Sequence, residues 1–195
     1  MKKKRVLVCI TGGSGASLGL KLYSLLPPEV ERFLVVSTGG KEVLKREEGI
    51  SLEERIFVEE KNLVKRGVFL EDEIWAPPAS GSFGIDVTYI VPTSMNTLAK
   101  IASGVEDNLI TRAAGVAIKE GKKLILAPRE MPFSAIQLEN MAKLARLSNV
   151  VIAPPVIGYY SRPRSLEDLE LFLVGRWLDF GGIPNNYYRR WGEEE

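Results

Sequence analysis

The sequence predicts an α/β protein: a doubly wound, mostly parallel sheet with helices on both faces. Two observations carry that prediction. Short apolar runs with β-branched content recur along the chain, and segments with apolar residues at helical spacing lie between them. Strands that alternate with helices in this way pair in parallel and are covered on both faces. A third observation concerns the strand exits, each of which is rich in Gly, Pro, Ser or Thr. In open α/β sheets ligands bind outside those carboxyl ends.

The first strand is expected at Val6–Ile10, followed by the turn Thr11-Gly12-Gly13-Ser14-Gly15 and a helix over Ala16–Leu26 that repeats Leu18, Leu22, Leu25 and Leu26. Glycines at a strand-to-helix turn bare backbone N–H groups beside the positive helix end, which favours an anion. Phe33–Ser37 reads as the second strand and Lys41–Lys45 as the helix after it, with Ser37-Thr38-Gly39-Gly40 at the exit. Residues 46–72 are charged and mixed and read as a helix and a surface connection. Val87–Val91 is the third strand, ended by Pro92, and Ser94 is the N-cap expected of the next helix, Thr97–Ser103. A helix over Asp107–Lys119 precedes the strand Leu124–Ala127, and a helix over Phe133–Arg146 precedes the strand Val150–Ala153. The last helix is Leu166–Phe180. One domain spans residues 1–183, and residues 184–195 form a tail whose Tyr187, Tyr188 and Trp191 suit a subunit interface.

Composition excludes several chemistries. There is no histidine, which removes Ser-His-Asp catalysis, His-ligated zinc and a histidine general base. The one cysteine, Cys9, falls inside the first strand, so it forms no internal disulfide and reads as buried and inert in a reducing cytoplasm. No protein-ligated metal is expected. A net charge of +1 gives no field for nucleic acid or an anionic membrane, and no run approaches the roughly 18 apolar residues of a membrane span. Chemistry must come from carboxylates, Lys, Tyr, hydroxyls or a bound cofactor.

The first turn is not a P-loop, because no Gly-Lys-Ser/Thr closes it. As a dinucleotide fingerprint it is defective: Gly13-x-Gly15-x-x-Leu18 has Leu where a third Gly or Ala belongs, and the acid expected after the second strand is missing. A mononucleotide fits better than NAD. Trp75, beside the hydroxyl-rich loop Pro77–Phe83, suits either the core or the wall of a planar ligand site. Arg129 and Glu130 stand between two prolines at the fourth exit, as an acid–base group with a charge partner or as a surface ion pair. Arg112, Lys119 and Arg176 interrupt apolar helices and call for an anion or for escape to solvent, more cations than a phosphate-free fold needs.

Taken together, GGSGA (Gly12–Ala16), ASGSF (Ala79–Phe83), PTSMNTLAKIASG (Pro92–Gly104), DNLITRAA (Asp107–Ala114), REMP (Arg129–Pro132) and YYSRP (Tyr159–Pro163) resemble the flavin prenyltransferases of the UbiX family, in that family's order. The resemblance implies a Rossmann-like flavoprotein fold and a metal-independent cytoplasmic homododecamer. It implies transfer of the dimethylallyl group of dimethylallyl phosphate to N5 and C6 of reduced FMN, with release of phosphate. The prenylated FMN would serve a UbiD-type decarboxylase, for example in ubiquinone biosynthesis. By motif match, Gly12, Gly13, Ser14, Ser37, Ser94, Met95, Asn96, Thr97 and Arg112 would hold FMN. Lys119, Tyr160 and Arg176 would bind the allylic phosphate with Arg129 nearby, Glu130 and Ser14 would move protons, Trp75 would shelter the allyl group, and Glu48 matches loosely a glutamate that reaches a neighbouring site. The first turn has Gly-Gly-Ser where the family has Gly-Ala-Ser, Thr93 replaces a common Cys, Asn96 a Lys found in some members, and Ser161 a frequent His. Two other readings compete. A non-catalytic FMN carrier or accessory subunit of a decarboxylase complex would need the flavin turns but not Lys119, Glu130, Tyr160 and Arg176 together. A flavin-dependent cysteine decarboxylase relies on a histidine that this chain lacks.

Overall fold

The computed structural model describes residues 3–52 and 67–192. Six strands among them, β1 (Arg5–Ile10), β2 (Glu31–Val36), β3 (Val68–Leu70), β4 (Val87–Thr93), β5 (Lys123–Pro128) and β6 (Val150–Ile152), form one sheet in the order β3-β2-β1-β4-β5-β6. Every pair is parallel. The order reverses between β1 and β4, which makes the gap above those two strands the topological switch point.

Among the described residues six α-helices wind around the sheet: α1 (Ala16–Ser24), α2 (Thr38–Glu48), α3 (Met95–Ser103), α4 (Leu109–Lys119), α5 (Ala135–Ala145) and α6 (Leu166–Phe180). The strands assign them to faces by period-two alternation. Val6, Val8 and Ile10 of β1 turn toward Leu22 of α1, Leu44 of α2 and Trp177 of α6. Leu7 and Cys9 turn toward the other face, where α3, α4 and α5 contribute Leu98, Ile110 and Leu144. A central strand buried on both faces must be apolar throughout, and the last five residues of β1 are all buried.

Two expectations need correction. Within 46–72, Val68–Leu70 is an edge strand in register with Leu34–Val36 of β2. Three residues are too few for a period to show. Residues 53–66 lie outside the described part. Pro92 does not end its strand, which runs on to Thr93. A register shift between Ile90 and Thr93 in the β4–β5 pairing absorbs the imino residue. The remaining predicted elements are present with shifted ends, and α2 is much the longest extension, reaching from Thr38 to Glu48.

Glycine makes the first crossover compact. A Cβ on Gly19 of α1 would lie 2.2 Å from the Val91 carbonyl oxygen and 2.7 Å from Ile10 Cγ1. The close helix–strand contact that a third fingerprint glycine provides is therefore made here, one residue beyond Leu18.

Candidate active site

The exits of β1, β2, β4 and β5 are tied into one surface by short backbone contacts. Buried Thr11 is the knot. Its Oγ1 donates to the Pro92 carbonyl at 2.8 Å and accepts from the Ser94 N–H at 2.7 Å, joining the end of β1 to the end of β4 and the start of α3. Thr93 does the same one strand over. Its Oγ1 donates to Ile90 O at 2.6 Å and accepts from Ala127 N at 3.0 Å, while its carbonyl takes the Arg129 N–H at 3.3 Å. The sequence reading names Thr11 only as part of the first turn and Thr93 only as a departure from the family's Cys, and gives neither a structural task. The available signal was a hydroxyl directly behind an apolar strand.

Gly12 and Gly13 are squeezed between the other exits. A Cβ on Gly12 would stand 3.2 Å from the Gly39 backbone, and one on Gly13 would stand 3.2 Å from the Pro92 ring and 3.8 Å from Arg129 Cβ. Gly15 has φ +81 at the N-cap of α1, a conformation that favours glycine. Ser37 and Ser94 cap α2 and α3, accepting from Gly40 N at 3.0 Å and Thr97 N at 3.3 Å. Met95, Asn96 and Thr97 form the first turn of α3, and Arg129 and Glu130 are exposed at the rim. Gly12, Gly13, Ser14, Ser37, the Ser94–Thr97 turn, Arg129 and Glu130 thus share one end of the sheet.

The helix N-termini there already attract anions. Glu47 Oε2 accepts from the Gly15 N–H at 2.9 Å, Glu48 Oε1 accepts from the Ser17 hydroxyl at 3.0 Å, and Glu71 Oε1 accepts from the Thr38 N–H at 2.6 Å. Glu48 therefore belongs to the rim of the first turn, together with Glu47 and Glu71, which the sequence reading passed over.

The other sequence-picked residues lie elsewhere in the chain. Arg112 donates from Nε to Ala79 O at 3.2 Å and pairs with Glu106. Trp75 is 77% exposed, so it is no part of the core. Tyr160 packs edge-on against Phe172 and Trp191 at ring separations of 5.4 and 6.0 Å. Arg176 faces Asp179 at 3.4 Å and the Tyr188 hydroxyl at 3.3 Å. Lys119 closes α4, four residues before β5 begins, and β5 starts level with the start of β4. It therefore sits at the opposite end of the sheet from the exits, 3.4 Å from Glu120. The surplus of cations inferred from sequence is corrected by these pairs. Glu106, Glu120 and Asp179 give Arg112, Lys119 and Arg176 acids from the chain itself.

Asp179 is the most heavily bonded carboxylate of the group. Burial alone would raise its pKa, but hydrogen bonds from Arg190, Tyr188 and Asn185 and the Arg190 charge hold it below the usual carboxylate value. Burial pushes the Cys9 thiol well up, so it stays protonated and inert. Among the described residues no three Cys, Asp or Glu side chains gather as a metal site, and no helix is long and apolar enough to cross a membrane.

A family model described as Flavoprotein matches residues 1–169. The chain is 44% identical over 189 residues to the flavin prenyltransferase UbiX of Helicobacter pylori, covering 96% of this chain and 98% of that one. The chain belongs to the UbiX flavin prenyltransferases. Solved structures agree with that membership. AnUbiX (PadA1), determined in complex with FMN and dimethylallyl pyrophosphate, superposes with a TM-score of 0.88 at 37% identity and full coverage of both chains. A dodecameric FMN-dependent UbiX-like decarboxylase from Escherichia coli O157:H7 gives 0.87 at 38%, over 97% of this chain and 100% of that one. Flavin prenyltransferases are enzymes, and this chain has their Rossmann-like sheet from end to end.

Proposed function

We propose that the protein prenylates reduced FMN, taking the dimethylallyl group from dimethylallyl phosphate and releasing phosphate. Bound FMN supplies the nucleophilic N5 and C6 positions to which the allyl group is joined. The observation that carries this reading is the convergence of Gly12, Gly13, Ser94 and Arg129 at the switch point between β1 and β4. Bare glycine backbone, two helix N-termini and a guanidinium suit a phosphorylated ring system, and Cβ atoms on Gly12 and Gly13 would press on Gly39 and Pro92 and force these exits apart.

In this reading Gly12, Gly13, Ser14, Ser37 and residues 94–97 hold the flavin, and Arg112, which lies apart from them beside Ala79 and Glu106, joins them by motif match alone. Glu130, exposed at the rim with its Oε1 accepting from Met131 N at 3.0 Å, takes or gives protons with Ser14. A carboxylate suits that task where no histidine exists. Heterolysis of the allylic C–O bond leaves a phosphate that Arg129, Tyr160, Arg176 and Lys119 neutralise electrostatically. Trp75 and Glu48 flank the allyl group. Arg176 and Tyr160 lie on the tail side of α6, and Lys119 lies at the far end of the sheet. The phosphate site is therefore shared between copies of the chain, in a homo-oligomer that we take to be a dodecamer. The prenylated flavin passes to a UbiD-type decarboxylase in the cytoplasm.

The test is anaerobic incubation with reduced FMN and either dimethylallyl phosphate or the diphosphate, followed by the mass of the flavin. A gain of one C5H8 unit with release of phosphate supports the proposal. Bound but unmodified FMN with both donors points instead to a flavin carrier.

A further inference from the structure

The Asp179 carboxylate is the hub of a network that the reaction as proposed does not use. It lies on α6, three residues after Arg176, and its side chain is 18% exposed. Arg190 in the tail grips both of its oxygens, with Nη2 donating to Oδ1 at 2.8 Å and Nη1 to Oδ2 at 2.9 Å. Asn185 Nδ2 donates to Oδ1 at 2.9 Å, and the Tyr188 hydroxyl donates to Oδ2. Arg176, the cation nearest in sequence, reaches Oδ2 only at 3.4 Å. Its guanidinium is otherwise steadied by the Tyr188 hydroxyl at 3.3 Å and by the Phe180 ring, whose centre is 4.8 Å away.

This division matters because one carboxylate can take one arginine side-on. Two guanidiniums compete for Asp179, and the distances show that the tail arginine holds it. A bidentate Arg176–Asp179 pair would neutralise Arg176 and fix its planar fork away from any incoming anion. With Arg190 in place, the three side chains keep a net positive charge, and the weakly held member is Arg176. The same network fixes the surroundings of Tyr160 through a row of edge-on rings, Tyr188 on Phe172 at 5.3 Å and Phe172 on Tyr160 at 5.4 Å.

We infer that Arg190 is a positioning residue, which occupies Asp179 so that Arg176 stays available to the phosphate of the allylic donor. The inference rests on the reading that Arg176 meets that phosphate. It assigns the tail a task within its own chain, in addition to any interface role.

The experiment compares steady-state kinetics of Arg190→Gln, Asp179→Asn and the double variant with the unaltered protein, varying dimethylallyl phosphate at saturating reduced FMN. Arg190→Gln raises the KM for the donor about tenfold, the size of one lost charge-assisted contact, while kcat and FMN affinity stay within about twofold. Removing the competing acid as well, in Asp179→Asn/Arg190→Gln, returns KM to within about threefold of the starting value. A merely structural role for Arg190 predicts the reverse, because a second cut in the network loosens the tail further. A direct contact of Arg190 with phosphate likewise predicts no rescue. An unchanged KM in folded Arg190→Gln, or a double variant no better than the single one, overturns the inference while the prenyltransferase reading stands. Absence of turnover in the unaltered protein with either donor overturns both. Should Arg190→Gln fail to fold, Tyr188→Phe supplies the same comparison: it frees one lone pair of Oδ2 for Arg176, with a smaller rise in KM and the same rescue by Asp179→Asn. Failure of that rescue overturns the inference equally.

Discussion

Replacing Gly19 by Ala tests whether the first crossover depends on bare backbone. The added Cβ would fall 2.2 Å from Val91 O, against a normal carbon–oxygen approach of about 3.3 Å. It would also fall 2.7 and 2.9 Å from Ile10 Cγ1 and Cδ1. Both strands are central, so α1 must move instead, by about 1 Å. A gap of that size forfeits about a quarter to a half of the dispersion attraction between surfaces that had been in contact, here those of Ala16 and Leu22. Overpacking costs about 1–3 kcal/mol and more against backbone, while Ala returns about 1 kcal/mol of helix propensity. We take the upper part of that range because the obstacle is a carbonyl oxygen, giving a net loss of about 1–2 kcal/mol once the propensity gain is subtracted. For a chain of this size that lowers Tm by about 2–8 °C. The assay is thermal unfolding at fixed protein concentration, since oligomerisation shifts Tm, with FMN affinity measured in parallel. The Thr11–Ser17 turn rides on α1, so affinity falls with stability. A Gly19→Ala protein as stable as the parent would refute the packing argument.

Thr11→Val removes the hydroxyl that serves both Pro92 O and Ser94 N, leaving the half-buried Ser94 N–H without its acceptor and Pro92 O with only the Thr11 N–H at 3.3 Å, at a cost of about 1–3 kcal/mol; denaturant titration and FMN binding both report it. Asp179 has a depressed native pKa, so its contribution is complete above the unfolded value of about 3.9 and is lost as pH falls through the native one. The Tm difference between the parent and Asp179→Asn is therefore constant near neutrality and shrinks below about pH 4; a difference that grows in acid contradicts the assignment. If Lys119 serves a neighbour's site, Lys119→Met and Glu130→Gln proteins, each inactive alone, regain part of the activity when refolded together, and no recovery on mixing argues that both act within one chain.

The fold was legible because its signal is repeated. Each strand of β1, β2, β4 and β5 is a run buried on both faces, and the helices after β2, β4 and β5 are capped by Ser37, Ser94 and Ser134, while the helix after β1 starts at the left-handed Gly15. Ser94 announced the start of α3 by residue type alone. What escaped was short or mutual. β3 has three residues and one neighbour, and Pro92 survives in a strand only because the β4–β5 register shifts beneath it. Gly19 carries no signal of its own in the sequence, because its reason is the Val91 carbonyl that the fold places beside it.

The site was legible in the same uneven way. The half proposed for flavin follows from glycines and hydroxyls at strand exits, where the backbone sets the geometry and local sequence encodes it. Its cations are a different case. The sequence shows that Arg112, Lys119 and Arg176 lie in apolar helices, and the inference to a phosphate came from supposing them unpaired. Pairing is a property of the folded chain, and Glu106, Glu120 and Asp179 supply it. A cation that already has an acid can still serve an anionic substrate, provided the acid is itself held by something else. For Arg176 that holder is Arg190, fourteen positions later in the sequence and on the same carboxylate. No spacing rule encodes such a relation, because it depends on how a tail without regular structure folds back over α6. The resemblance to known prenyltransferases proposes Arg176 for the phosphate; the geometry adds that Arg190 grips both oxygens of Asp179 while Arg176 reaches one of them at 3.4 Å.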